Sequence, residues 1–201
     1  MADPRVDHLG GVELGGAHVR LEPLREAHLD ALEAAGDDPR IWTWFRFDLS
    51  TRAKLEARFA WQVEEIAAGR IAVYAVVLRA TGDVVGSTSF LDIDQPNRTV
   101  EIGATWYHPR YWGGVVNPES KLLLMRHAFE DWGAGRVWLK TDNENERSKA
   151  AILRLGAKPE GVLRWHMVRR DGTRRDSAVF SVIAPEWPDV RARLERRLAS
   201  A

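Results

Sequence analysis

His108-Pro109-Arg110-Tyr111-Trp112-Gly113-Gly114-Val115-Val116-Asn117-Pro118-Glu119-Ser120-Lys121 lies between a predicted strand and a predicted helix. Residues of these types in this order suit the capture of a phosphate group. Glycine lets a backbone turn sharply and approach a ligand closely. A helix start offers unpaired N–H groups and the positive end of the peptide dipole. Asn117 is a good N-cap, Pro118 suits the first helical position, and Lys121 adds a cation one turn in. The segment suggests a phosphorylated cofactor without naming it.

Two further groups could do chemistry. Strand alternation over Thr99–Tyr107 puts Val100, Ile102, Ala104 and Trp106 on one face, and Thr99, Glu101, Gly103, Thr105 and Tyr107 on the other. A carboxylate in mid-strand, Glu101, suits a general base acting directly or through a water. An exposed or salt-bridged glutamate fits the same spacing. The run Thr141-Asp142-Asn143-Glu144-Asn145-Glu146-Arg147-Ser148 ends in a helix start. There Asn145 can cap the helix or contact a ligand, and Ser148 can support the first turn or face a leaving group. His108, His127 and His166 have no metal-ligand spacing. His127 reads as structural, and His166, beside Trp165, is a candidate pocket residue.

These groups need a scaffold. Residues 1–16 read as a flexible lead-in and 17–201 as a single domain. His18–Leu24 alternates as a strand, and a helix follows from Arg25 to Ala35. A loop holds Trp42, Trp44, Phe45 and Phe47. Ser50 or Thr51 can cap a second helix to about Ala68, with Leu55, Phe59, Val63 and Ile66 as one stripe. Ala72–Arg79 and Val84–Asp92 form a hairpin about Thr81-Gly82-Asp83, and Arg98–Tyr107 is the next strand. The helix from Pro118 stops at Gly133, and Val137–Thr141 is a short strand. A helix from Asn145 ends at Gly156. A last hairpin, Val162–Arg169 with Arg174–Ile183, precedes a charged helix, Glu186–Leu198. The order β-α-α-β-β-β-α-β-α-β-β-α predicts one mixed α/β domain.

Composition sets limits. The chain has 201 residues, with Lys plus Arg equal to Asp plus Glu at 29 each, so no field of one sign draws it to nucleic acid or an anionic membrane. It has no cysteine, which excludes thiolate chemistry on the protein and fits a cytoplasmic setting. No apolar run approaches the ~20 residues needed to cross a bilayer. Nine tryptophans are many for this length; most are expected to fill the core or a subunit interface, and some could line a substrate pocket.

In combination and order, these pieces resemble the GNAT family of acyl-CoA-dependent N-acetyltransferases, nearest the branch of ribosomal-protein N-terminal acetyltransferases. The likeness runs from Val19-Arg20-Leu21-Glu22-Pro23-Leu24 to Glu186-Trp187-Pro188. It is strongest at Glu101-Ile102-Gly103, Trp112–Phe129 and Asn145–Ala157. The resemblance implies a central, mostly antiparallel twisted sheet, flanked by helices and splayed into a wedge for acetyl-CoA. It implies cofactor contacts at Trp106, Tyr107, Trp112, Gly113, Gly114, Val115, Asn117, Lys121 and Asn145. An amine acceptor, either a small molecule or a peptide, would enter near Trp42, Trp44, Phe45 and His166. Glu101 would be the base and Ser148 the acid. No metal is required, and a homodimer fits the family.

Two departures from the family pattern stand out. Many relatives carry a tyrosine acid where this chain has Ile152. The loop pattern Gln/Arg-x-x-Gly-x-Gly/Ala, counted back from Glu119, puts Trp112 first and Val115 and Asn117 at the glycine positions. A β-branched residue resists positive φ, so Val115 predicts an altered phosphate grip. Matching Arg110 and Gly113 instead shifts the register. The alternative is therefore a catalytically degenerate acyl-CoA-binding or regulatory module.

Overall fold

The structure, a computed structural model, describes residues 8–200. Its elements run β1 (Leu14–Gly15), β2 (Val19–Pro23), α1 (Leu29–Ala35), α2 (Arg52–Ala67), β3 (Ala72–Leu78), β4 (Val84–Asp94) and β5 (Thr99–Tyr107). They continue α3 (Val116–Arg126), β6 (Arg136–Asp142), α4 (Glu146–Leu155), β7 (Lys158–Val168), β8 (Arg174–Ile183) and α5 (Trp187–Ala199). The expected mixed α/β order is present, with one short strand added at the start. Residues 1–7 of the expected lead-in lie outside the described residues. The rest of it is packed: Leu9 is buried, its carbonyl accepts from the Tyr74 hydroxyl at 2.6 Å, and Leu14–Gly15 pair with β2.

The sheet order is β1-β2-β3-β4-β5-β6-β8-β7. Every neighbouring pair is antiparallel except β5 and β6. That parallel pair holds for only Thr99–Arg136, Val100–Val137 and Glu101–Trp138. Past Glu101 the two strands part, and the β5 edge away from β4 has no strand partner among the described residues. The splayed wedge expected for the sheet is this opening.

Burial divides the core by sheet face. Leu122, Leu124, Met125, Trp132, Leu155 and Leu194 pack with Val100 and Ile102 on one side. Leu29, Leu32, Leu55, Ile41 and Trp42 pack with Trp106 on the other. The expected α2 stripe is only partly inward, since Leu55 is buried while Val63 and Ile66 are exposed. α3 begins at Val116, two residues before the expected start, and runs into a π-helical turn, His127–Trp132, that ends on Gly133 at φ 76°. Gly156, at φ 105°, ends α4 as expected.

Candidate active site

The loop before α3 solves its backbone problem at Gly113, which takes φ 82° with open space around it. Val115 lies in the helical region at φ −75°, and its carbonyl accepts from Glu119 N–H at 3.0 Å. The strain expected at Val115 is therefore absent, and the positive φ of this loop falls on Gly113 instead. Asn117 and Pro118 fall inside the first turn of α3, so Asn117 is not the N-cap. The amides from Gly113 to Asn117 have no protein acceptor outside the helix among the described residues, and Gly113 and Gly114 are exposed. The result is a row of free donors at a helix start. Glu119 does not crowd it. Its buried carboxylate accepts from Ala17, His18 and Val19 N–H at 2.8, 2.7 and 2.6 Å, and fastens the β1–β2 turn.

β5 does not alternate cleanly. Ser87 pairs with Trp106 and Ser89 with Gly103, so β5 carries an extra residue opposite Thr88. Ala104 in this bulge has φ 48°. A bulge reverses which side chains share a face. Trp106 packs with Trp42 at 5.1 Å between ring centroids, while Tyr107 joins the opposite core. Both side chains are buried, so the contacts expected from Trp106 and Tyr107 are limited to backbone.

Glu101 lies before the bulge, where β5 and β6 part. It is 2% exposed and its Oε2 accepts from Lys140 Nζ at 2.5 Å. Gly103 leaves room for it: a Cβ there would meet Glu101 Oε1 at 2.5 Å. Burial raises the Glu101 pKa to about 7, with Lys140 opposing and Asp92 adding to the rise. Such a carboxyl can take and release a proton near neutrality.

Lys121 does not face the phosphate loop. Its side chain is buried against the bulge, and Nζ donates to Thr105 Oγ1 at 2.6 Å and lies 3.4 Å from Thr88 Oγ1. Thr88 and Thr105 are themselves 2.7 Å apart. Desolvation lowers the Lys121 pKa to about 7, with Glu101 pulling the other way. The expected phosphate contact from Lys121 is corrected accordingly: α3 is buried nearly all round, so one turn in from its start means towards the sheet.

Asn145 caps α4, its Oδ1 accepting from Ser148 N–H at 3.0 Å. Ser148 is half-buried, and Ile152 lies in the core. Sequence reasoning missed Arg147, whose guanidinium carbon sits 3.6 Å from the centroid of the Trp112 ring. The Trp112 indole also donates to Tyr107 carbonyl at 3.0 Å. This stack links the loop that follows β5 to the helix that follows β6.

On the opposite side, the aromatic loop and the last hairpin meet. Arg170 Nη2 donates to Trp42 carbonyl at 2.8 Å. Trp42 is 2% exposed and its indole donates to Gly36 carbonyl, so it is a core residue and not a substrate contact. Trp44 and Phe45 are half-buried, and Phe45 packs edge-on to Trp42. His166 is exposed, and its pKa is lowered by partial burial and by Lys140, Arg175 and Arg46. Lys140 also escaped sequence reading, although strand alternation with Trp138, the partner of Glu101, would have placed it on the Glu101 face. His127 is buried and bonded to Asp131 at 2.7 Å, a structural role as expected. No cluster with metal-holding geometry occurs among the described residues. No helix among them is long and apolar enough to cross a membrane.

A model of the family described as Acetyltransferase (GNAT) domain matches residues 18–158. A crystal structure of a GCN5-related N-acetyltransferase from Brucella melitensis is 32% identical, with a TM-score of 0.87 over 97% of this chain and 88% of that one. Mycobacterium smegmatis RimJ, solved in complex with CoA-disulfide, shares the fold at 22% identity, with a TM-score of 0.78 over 89% of this chain and 88% of that one. Among curated proteins, the uncharacterized N-acetyltransferase YoaA of Bacillus subtilis (strain 168) is 29% identical over 112 residues, which is 56% of this chain and 62% of YoaA. The chain spans 57% to 63% of the length of the curated relatives it matches.

Proposed function

The chain belongs to the GNAT acetyltransferase family, and from that premise we propose that it transfers an acetyl group from acetyl-CoA to a primary amine by direct attack in a ternary complex. One observation carries the reading: the Gly113–Asn117 amides have no acceptor outside α3 among the described residues, in the loop that follows β5, the strand that carries Glu101 and parts from β6 just beyond it. Bound acetyl-CoA supplies an activated thioester. The Gly113–Asn117 amides hold its pyrophosphate, with Trp112 and Asn145 beside them. The open β5 edge, from Ile102 to Tyr107, offers backbone groups to its pantetheine.

Glu101 takes the proton that the attacking amine loses. The need is real, since reference pKa values of about 7.7–8 for an α-amine and about 10.4 for lysine leave most amine protonated. A backbone N–H at the Ala104 bulge donates to the oxyanion. Ser148 protonates the departing thiolate, although a thiolate can also leave unaided. The acceptor enters past Trp44, Phe45 and His166. The complex with CoA-disulfide reported for RimJ supports the choice of cofactor.

A cytoplasmic setting and a homodimer belong to the same proposal. The first rests on the absence of cysteine. The second rests on β7, an edge strand that exposes Val162, Leu163 and Trp165.

Calorimetric titration with acetyl-CoA, dephospho-CoA and pantetheine tests the reading. Acetyl-CoA is expected to bind with a Kd on the order of micromolar. Pantetheine, which lacks the pyrophosphate, is expected to bind at least about tenfold more weakly. Equal binding of pantetheine would remove the loop from cofactor recognition. Binding without thiol release for any amine would favour the non-catalytic alternative, which Ile152 in place of a tyrosine acid still supports.

A further inference from the structure

On the sheet face that carries Glu101, most cations are matched by carboxylates, with Lys140 between Glu101 and Asp92 and Arg169 on Asp142 and Glu144, but one buried cation is not hydrogen-bonded to any. Glu101, Trp138, Lys140, Asp142, Ser177 and Arg175 share one sheet face, since Glu101 pairs with Trp138 and Asp142 with Ser177. Two of the acids there are already engaged. Glu101 is bonded to Lys140 at 2.5 Å. Asp142 takes a two-pronged contact from Arg169 at 2.7 and 3.0 Å and a third bond from Glu144 N–H.

Arg175 is left over. It is 8% exposed, its side chain makes no hydrogen bond among the described residues, and its one carboxylate contact among them is Asp142 Oδ2 at 3.8 Å. Two residues along the same face, Ser177 Oγ is also buried without a partner among the described residues. Arg46, on the exposed part of the aromatic loop, has neither a hydrogen bond nor an ion pair among the described residues, yet its charge reaches both Arg175 and His166. A buried guanidinium without acceptors is costly. Its planar fork matches a carboxylate. Lys140 is matched by Glu101 and Asp92, which leaves Arg175 and Arg46 as the cations an anionic group on the acceptor would pair with.

We propose that the acceptor is a small primary amine bearing a carboxylate, as an amino acid does, with Arg175 and Arg46 holding the carboxylate while the amine faces Glu101. Ser177 adds a hydroxyl donor beside Arg175. The inference rests on the acetyl-transfer reading above and narrows its acceptor.

The test compares CoA thiol release with the standard amino acids, their carboxamides, their decarboxylated amines and aminoalkyl phosphates. The best amino acid is expected to exceed its carboxamide in kcat/KM by about tenfold or more. Arg175→Gln is expected to shrink that ratio by raising KM for the amino acid. Arg46→Gln, at an exposed position, should shrink it in the same direction and keeps the test open if the buried substitution impairs folding. Equal use of carboxamide and acid, or a preference for the phosphates, would overturn the inference while leaving acetyl transfer intact. If acetyl-CoA binds but no amine releases thiol, the transfer reading fails and the inference falls with it.

Discussion

At Glu101 burial and a lysine pull in opposite directions, and burial wins: the carboxyl is raised to about 7 even with Lys140 at 2.5 Å. As a base, Glu101 is useful only once deprotonated, so kcat/KM should rise with pH through about 7. Glu101→Gln is expected to lower kcat by about 10²–10⁴ and flatten that rise, while calorimetry finds acetyl-CoA affinity unchanged. Undiminished turnover would remove Glu101 from the mechanism. Lys121 makes a separate prediction. Folding lowers its pKa from 10.5 to about 7, so between those values the unfolded chain binds more protons than the folded one. Stability therefore rises with pH across that window and is reduced at its lower end. Lys121→Met should stabilise the protein near neutral pH by about 1–4 kcal/mol and abolish the rise, as read from urea midpoints at about pH 7 and about pH 9. Glu101 does not confuse the comparison, since its own raised pKa lowers stability only as pH climbs from 4.5 to about 7. The sequence showed Glu101 and the Asn145 cap, because strand position and cap chemistry are local. The direction of Lys121 was not legible, because α3 is buried on several sides and has no polar stripe to set its orientation.

Among the elements, β5 departs furthest from its pattern. The alternation read from Thr99 to Tyr107 holds to Gly103 and reverses after Ala104, and only the pairing with β4 reveals it. The bulge depends on close strand contact at Gly86, where a Cβ would meet Trp106 carbonyl oxygen at 2.0 Å and Tyr107 Cα at 2.8 Å. Both obstacles are backbone, so neither can swing aside. Gly86→Ala should cost about 2–4 kcal/mol in thermal or urea unfolding, and a loss below about 0.5 kcal/mol would show that the strands can shift. The loop before α3 had a similar outcome. Its glycines were visible in the sequence, but which one takes positive φ depends on where the helix starts, and that start lies within one or two residues of several workable caps.

For the whole molecule, element order was legible because hydrophobic period and turn residues change at nearly every boundary. Strand order was less so: β8, not β7, pairs with β6, which leaves β7 at the edge. An exposed edge strand with Trp165 70% accessible is a pairing surface. The proposed homodimer predicts a dimer in sedimentation at micromolar concentration and a shift to monomer with Trp165→Glu. A wild-type monomer throughout would count against it. Among the described residues, only three residue pairs join the β1–β5 half of the sheet to the β6–β8 half. Across that division Trp112 rests on Arg147. An indole in contact with a guanidinium emits light according to that contact. A ligand seated between the halves is expected to alter that stack, so one of nine tryptophans should serve as an optical gauge of occupancy with no dye or label added, and unchanged emission on saturation with acetyl-CoA would show that the stack lies clear of it.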